Sequence, residues 1–192
     1  MKVLVVYAHP YPESFNHAVL DKFIQGLQSK GHEVEILDLY ALGFNPVLSA
    51  ADLAALQQGQ VPADIAAHQE RVTRAEGLAF IFPIWWSSMP ALLKGWIDRV
   101  FSLGFAYAFR EEGPVGLLKH RKAVLITTCG GDQVFFDQSG IQKAIQLTVD
   151  LGVLAFTGIA KVHHEFFYNV VQTDPATREK YLEQAFSLGV HF

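Results

Sequence analysis

Apolar residues alternate along the chain between short continuous runs and helix-spaced stripes. Lys2 to Ala8 (KVLVVYA) is nearly all apolar, the pattern of a strand buried on both faces. A helix follows over His17 to Lys30, with Val19, Leu20, Phe23, Ile24 and Leu27 on one side. Ser14 and Asn16 are candidate N-caps, and Gly31 closes the helix. Glu33 to Leu39 alternates as a second strand, followed by a loop with Gly43 and Pro46. Ala50 to Gln57 and Ala63 to Glu76 read as helices, the latter with Ile65, Val72 and Ala75 together. Leu78 to Phe82 is a third strand, stopped by Pro83.

The alternation continues to the end of the chain. Ala91 to Leu103 carries Leu92, Leu93, Trp96, Ile97, Val100 and Phe101 on one helical face, with Pro90 just before its start. A loop with Gly104, Gly113, Pro114 and Gly116 leads to a fourth strand, Ala123 to Thr127. Ser139 to Leu151 is predicted helical, Leu154 to Ile159 a fifth strand, and Ala176 to Leu188 the last helix. Five apolar strands separated by helices imply right-handed βαβ units, and so an α/β fold with a parallel sheet covered on both faces. In such sheets ligands bind beyond the carboxyl ends of the strands, where the strand order reverses.

Composition narrows the class. The 192 residues are 51% hydrophobic and 18% charged, enough apolar material for a packed core. No repeat, low-complexity tract or linker divides them, so residues 1–192 are expected to form one domain. The formal charge of −4 leaves no basic surplus for a nucleic-acid backbone. Cys129 is the single cysteine, so neither an internal disulfide nor a cysteine zinc cluster is available, and a reducing compartment fits. The apolar run Val3 to Ala8 ends at His9-Pro10, too short for a signal peptide, and no stretch approaches the roughly 18 apolar residues of a membrane span. A cytoplasmic protein without an integral membrane segment is expected.

Three loops at predicted strand ends carry the chemistry: His9 to Asn16 (HPYPESFN), Pro83 to Pro90 (PIWWSSMP) and Thr128 to Asp132 (TCGGD). The first precedes a helix N-terminus, which either is simply capped or holds an anion. The second sets Trp85 and Trp86 between prolines, where they either close a core or stack on a planar ring. In the third, Gly130-Gly131 is either an ordinary turn or an opening for backbone N–H groups to approach a ligand. At one edge of a parallel sheet, the three together point to a planar, phosphorylated cofactor. The dinucleotide-binding glycine fingerprint, the P-loop and the serine elbow are all missing. That leaves a flavin at a flavodoxin-like switch point.

At these residues the chain resembles the NAD(P)H:quinone oxidoreductase family of the flavodoxin-like fold. The likeness spans Tyr7 to Asn16, Asp38 to Ser49, Phe82 to Phe101, Phe105 to Tyr107 and Ile126 to Gly131, and is most specific in PIWWSSMPALLKGW. It implies a five-stranded parallel sheet of order 2-1-3-4-5. It also implies a homodimeric flavoenzyme that passes hydride from NADH or NADPH, through FAD or FMN, to a quinone or similar acceptor. His9, Ser14, Phe15, Asn16 and Ala18 would hold the phosphates and ribityl chain. Pro83, Ile84, Trp85, Trp86 and Ser87 would line the isoalloxazine, and Thr128, Gly130 and Gly131 its pyrimidine edge. Arg178 falls near an adenine-contacting position, which favours FAD over FMN. Tyr107, reaching in from the second subunit, would border the nicotinamide and acceptor pocket.

The chain departs from the family in two respects, one being that it is shorter than the long FAD-dependent members. Where some members carry a tyrosine and a histidine credited with relaying charge and protons, Phe136 and Gln142 stand here, and Gln142 can supply only a neutral amide. Compact bacterial-type members include modulators of potassium-efflux systems, so a flavin-bearing regulatory subunit is the alternative expectation. His163, His164 and Glu165 superficially suggest a metal site, but neighbours on a strand point to opposite faces, and no metal is expected. Cys129 is expected to be a buried turn-filling residue, and Asp132 and Asp137 to be solvated loop carboxylates.

Overall fold

The computed structural model describes residues 1–192. Five parallel strands form the main sheet: β1 (Lys2–Tyr7), β2 (Glu33–Asp38), β3 (Gly77–Pro83), β6 (Ala123–Thr128) and β7 (Val162–Phe167), in the order β2-β1-β3-β6-β7. The remaining strands, β4 (Tyr107–Arg110) and β5 (Gly113–Gly116), make a separate antiparallel hairpin. With the hairpin set aside, the spatial order is the expected 2-1-3-4-5. The order reverses between β1 and β3, so the crevice lies over their carboxyl ends.

Helices α1 (Phe15–Ser29) and α7 (Pro175–Val190) cover one face of the sheet, over Val3, Val5, Tyr7, Ile81, Ile126 and Phe167. They touch through glycine: a Cβ on Gly26 would sit 2.1 Å from the Phe186 carbonyl oxygen, and one on Gly189 2.2 Å from that of Phe23. The opposite face, with Leu4, Val6, Phe80, Phe82 and Leu125, is covered by α3 (Ala63–Arg74), α4 (Ala91–Val100) and a π-helix over Gln146–Ala155. The shorter helices are α2 (Ala50–Gln57), α5 (Gln133–Ser139) and α6 (Ile141–Ile145). No helix is long and apolar enough to cross a membrane.

Arg99 of α4 ties α2 and α3 to this face. Its side chain is 5% exposed and donates to both carboxylate oxygens of Asp52, to Asp64 and to the Asn45 carbonyl. The residue after Asn45 lies directly on α4, at a position where the helix has no side chain. A Cβ on Gly95 would come within 2.2 Å of the Pro46 carbonyl oxygen.

Three expectations are corrected. Leu154 to Ile159 is not a strand; it ends the π-helix and the turn after it, with Leu154 and Ile159 buried. A short apolar run reads alike in a buried helix and a buried strand. The fifth strand is Val162–Phe167, whose mixed sequence VHHEFF suits the sheet edge it occupies. The single helix expected over Ser139 to Leu151 is broken at Gly140, which sits at φ 74° between α5 and α6, and then widens into the π-helix. The Gly104–Gly116 loop contains the β4–β5 hairpin, closed onto the main body where Gly116 meets Gly158.

Candidate functional site

The first loop folds onto the C-terminal end of β1. Ser14 caps α1, its Oγ accepting from the His17 N–H at 3.2 Å, as expected. The N–H groups of Phe15 and Asn16 have no backbone partner in that first turn, while the Ala18 N–H bonds back to the Ser14 carbonyl. The His9 Nδ1 accepts from the Tyr11 N–H at 3.1 Å, and burial lowers the imidazole's pKa, so the ring is neutral at pH 7. Its ring centroid is 5.9 Å from that of Trp85, which joins the first loop to the second.

Backbone bonding shapes the second loop. The Ile84 N–H donates to the Thr128 carbonyl at 2.8 Å, so the ends of β3 and β6 are fixed together. Trp85 and Ser88 exchange two backbone hydrogen bonds around Trp86 and Ser87, which stand at φ 50° and 59°. Two successive positive φ values mark the tightest hairpin turn, usually built from Asn-Gly. Trp86 projects from its tip wholly exposed, and Trp85 is 40% exposed. A wholly exposed Trp86 beside a partly exposed Trp85, held out from a strained turn, matches a surface made to receive a flat partner.

Thr128, at the head of the third loop, bonds to both of the others. Asn16 Nδ2 donates to Thr128 Oγ1 at 2.7 Å, both residues being buried. The 129–131 turn is pinned to the end of β7: the Cys129 N–H donates to the Phe167 carbonyl, and the Asn169 N–H to that of Gly131. Space above Gly130 is open, whereas a Cβ on Gly131 would meet Phe136 at 3.1 Å. Cys129 is fully buried, and burial pushes its thiol up to about 12, which rules it out as a reactive thiolate.

Arg178, in the first turn of α7, reaches the same edge. Its Nη2 donates to the Val170 carbonyl at 2.8 Å, and the guanidinium carbon lies 5.9 Å from the Phe15 ring centroid. Two buried polar atoms here lack partners: Asn16 Oδ1 and Arg178 Nε. Orphaned polar atoms beside free helix N-terminal donors, an open glycine turn and an uncovered Trp86 fit a flat, anionic group.

The strand ends thus gather His9, Ser14, Phe15, Asn16, Ala18, Pro83, Ile84, Trp85, Trp86, Ser87, Thr128, Gly130 and Gly131, with Arg178 beside Phe15. Tyr107 is not among them. It opens the hairpin, packed on Phe109 and Phe156, and the hairpin docks against Thr157 and Gly158 ahead of the start of β7. The Gln142 Oε1 accepts from the Tyr168 hydroxyl, and the Tyr168 ring meets Phe136 edge-on at 5.6 Å. Tyr168 lies beyond the apolar run that reads as the last strand, so the sequence does not bring it beside Gln142. His163 and His164 face opposite sides of β7 and bond different carboxylates, Glu165 and Asp150.

Comparison with known proteins agrees with this arrangement. A family model described as flavodoxin-like fold matches residues 1–187. A Haemophilus influenzae protein named as an uncharacterised NAD(P)H oxidoreductase is 33% identical over 186 residues, covering 96% of this chain and 92% of that one. NAD(P)H dehydrogenase (quinone) 1 of Cavia porcellus is 32% identical over 201 residues, covering 94% of this chain and 73% of its own. Among solved structures, an NAD(P)H:quinone oxidoreductase from Methanothermobacter marburgensis superposes with a TM-score of 0.91 at 36% identity, covering 100% of this chain and 96% of that chain.

Proposed function

The chain belongs to the flavodoxin-like fold family, as an oxidoreductase of the NAD(P)H:quinone kind, and from that premise we propose that its reaction runs through a bound flavin. The net reaction is NAD(P)H plus a proton plus a quinone giving NAD(P)⁺ and the hydroquinone. A flavin held by these loops would supply the redox chemistry, as a two-electron carrier between the nicotinamide and the quinone. The observation that carries this reading is the convergence of the three loops, cross-linked by the Asn16–Thr128 hydrogen bond and the His9–Trp85 contact.

In this reading the first turn of α1 binds phosphate. Ser14 shapes that turn, the Phe15 and Asn16 N–H groups face the anion, and His9 and Ala18 flank it. Pro83, Ile84, Trp85, Trp86 and Ser87 line one face of the ring, and Thr128, Gly130 and Gly131 border its polar edge with fixed backbone donors. The free Nε of Arg178 above Phe15 supports a nucleotide extension on the phosphate side, and so FAD over FMN. Because Trp85, Trp86 and the strand ends occupy one face, nicotinamide and acceptor share the other and react in turn.

The reading includes a homodimer in which Tyr107 of one subunit borders the site of the other. It is supported by the exposed apolar side chains of Leu103 and Phe109 around the hairpin, 52% and 69% exposed. A single domain over residues 1–192, acting in the cytoplasm where both nicotinamide cofactors are held, completes it. The test is steady-state oxidation of NADH and NADPH by flavin-loaded protein against a panel of quinones. Quinone-dependent turnover is expected; its failure with both nucleotides and every quinone would refute the function.

A further inference from the structure

A cavity of about 320 Å³ opens at the amino end of the sheet, opposite the three loops. It lies between the starts of β6 and β7 and the end of α7. The length of β6, about 20 Å at 3.3 Å per residue, separates it from the Thr128 loop. Strand register decides which side chains reach it. Val124 pairs with His163 and faces the α7 side of the sheet. Alternation along each strand then brings Lys122, Lys161 and His163 to that same side. Lys122 and Lys161 each stand one residue before their strand, so they are neighbours: the Ala123 N–H donates to the Lys161 carbonyl at 2.8 Å.

The floor of this cavity is apolar, from Val124, Val162, Leu188 and Phe192, and its rim carries the two lysines. Lys122 is held in place. Its Nζ lies 4.6 Å from the centroid of the Phe192 ring and donates to the His191 carbonyl at 3.4 Å. Neither Lys122 nor Lys161 has a carboxylate within ion-pair distance. By contrast Lys2, Arg71 and Arg74, at the amino end of β1 and β2, are paired with Glu33, Glu35 and Glu70. The carboxylate next along that face of β7, Glu165, is engaged by His163 at 3.3 Å. Burial, then the charges of Arg121 and Lys161, lower the Lys122 pKa. A helix C-terminus draws cations of its own accord, and Lys122 at the His191 carbonyl meets that demand. Lys161 and Arg121 add positive charge beyond it, in a chain whose net charge is −4.

We propose that this cavity is a second binding site, separate from the three loops, for a small carboxylate with an apolar body. The carboxylate pairs with Lys122 and Lys161 and supplies the counter-charge they lack, while the hydrocarbon covers Val124, Leu188 and Phe192. A bare inorganic anion would leave the apolar floor wet, and a neutral ligand would leave the lysines unpaired. The volume is at the lower end of the range for small-molecule sites, about 300–1,000 Å³, which suits one short molecule rather than a membrane surface.

Octanoate is the probe, titrated into the protein as purified and followed by proton–nitrogen-15 NMR. Saturable binding with a Kd of about 1 mM or below is expected. The shifts should cluster on residues 122–124, 161–163 and 188–192 rather than on the three loops. Octanol, which lacks the charge, and acetate, which lacks the apolar body, should each bind at least about tenfold more weakly. Lys161→Gln, at an exposed position that folding does not depend on, and Lys122→Gln should each weaken octanoate about three- to tenfold. The proposal is overturned by an absence of saturation, by octanol or acetate binding as tightly as octanoate, by shifts confined to the three loops, or by undiminished affinity in either lysine variant. Binding of anionic phospholipid vesicles without binding of octanoate would overturn it in favour of a membrane surface. None of these outcomes depends on whether the protein takes up FAD or FMN, so this site and the proposed function stand or fall separately.

Discussion

Asn16 Nδ2 donates to Thr128 Oγ1 at 2.7 Å, which joins the first turn of α1 to the last residue of β6 across the switch point. Both side chains are buried, so neither has water as a substitute partner. Thr128→Val keeps the shape and removes the acceptor, stranding the Asn16 amide. We expect a stability loss of about 1–3 kcal/mol in denaturant unfolding. Flavin affinity should weaken with it, since the amide that faces the phosphate turn loses its anchor. Unfolding and flavin titrations matching wild type would show that this bond does not organise the site.

Strain in the Trp86-Ser87 turn gives a prediction of the opposite sign. Ser87 at φ 59° holds a conformation that glycine adopts freely. Ser87→Gly should therefore raise stability by about 0.5–1 kcal/mol, the released strain less the extra entropy of an unfolded glycine. Thermal unfolding of the ligand-free protein measures it, and a destabilised variant would contradict the turn geometry.

The buried Arg99–Asp52 pair predicts an acid limit. Hydrogen bonds from Arg99, then the Ser49 backbone, hold the Asp52 carboxyl below the usual carboxylate range. A lowered folded-state pKa contributes stability that is fully present above the unfolded value of about 3.9, and it disappears as pH falls through the folded value. Asp52→Asn should cost about 3–5 kcal/mol at pH 7, because it leaves Arg99 buried with only the more exposed Asp64 as a charged partner. The deficit relative to wild type should shrink as pH falls below about 4, where the unfolded chain's Asp52 takes up a proton while the folded one still holds its charge. Urea unfolding at neutral and at acid pH checks both statements, and a deficit that grows on acidification would contradict them.

The open face of the site predicts the kinetic form. If nicotinamide and acceptor occupy one place in turn, double-reciprocal plots at several acceptor concentrations run parallel, and each substrate inhibits the other when in excess. Intersecting lines would mean that both bind together, against the covering of one face by Trp85 and Trp86.

Much of this architecture is legible in the sequence where burial dictates it. β1, β3 and β6 lie inside the sheet with every or nearly every residue buried, so their continuous apolar runs identify them. β7 is an edge strand, half polar, and its signal is weaker than that of the apolar Leu154–Ile159 segment just before it. The π-helix is equally silent, because its wider turn is set by packing rather than by a helical period. The three loops are visible because paired tryptophans, paired glycines and a helix-capping run each directly follow an apolar strand. The contact of Tyr168 with Gln142 is not, because it exists only once β7 is correctly placed. Likewise the meeting of Arg178 with Phe15 is a product of α7 packing on α1.

The most direct test of the whole account is the cofactor itself. Purified protein, reconstituted with an equimolar mixture of FAD and FMN if it emerges depleted, is denatured, and the released small molecule is examined by absorption spectroscopy and mass spectrometry. The account predicts a yellow protein that releases one flavin per subunit with the mass of FAD. A colourless protein that retains neither FAD nor FMN after reconstitution would contradict it.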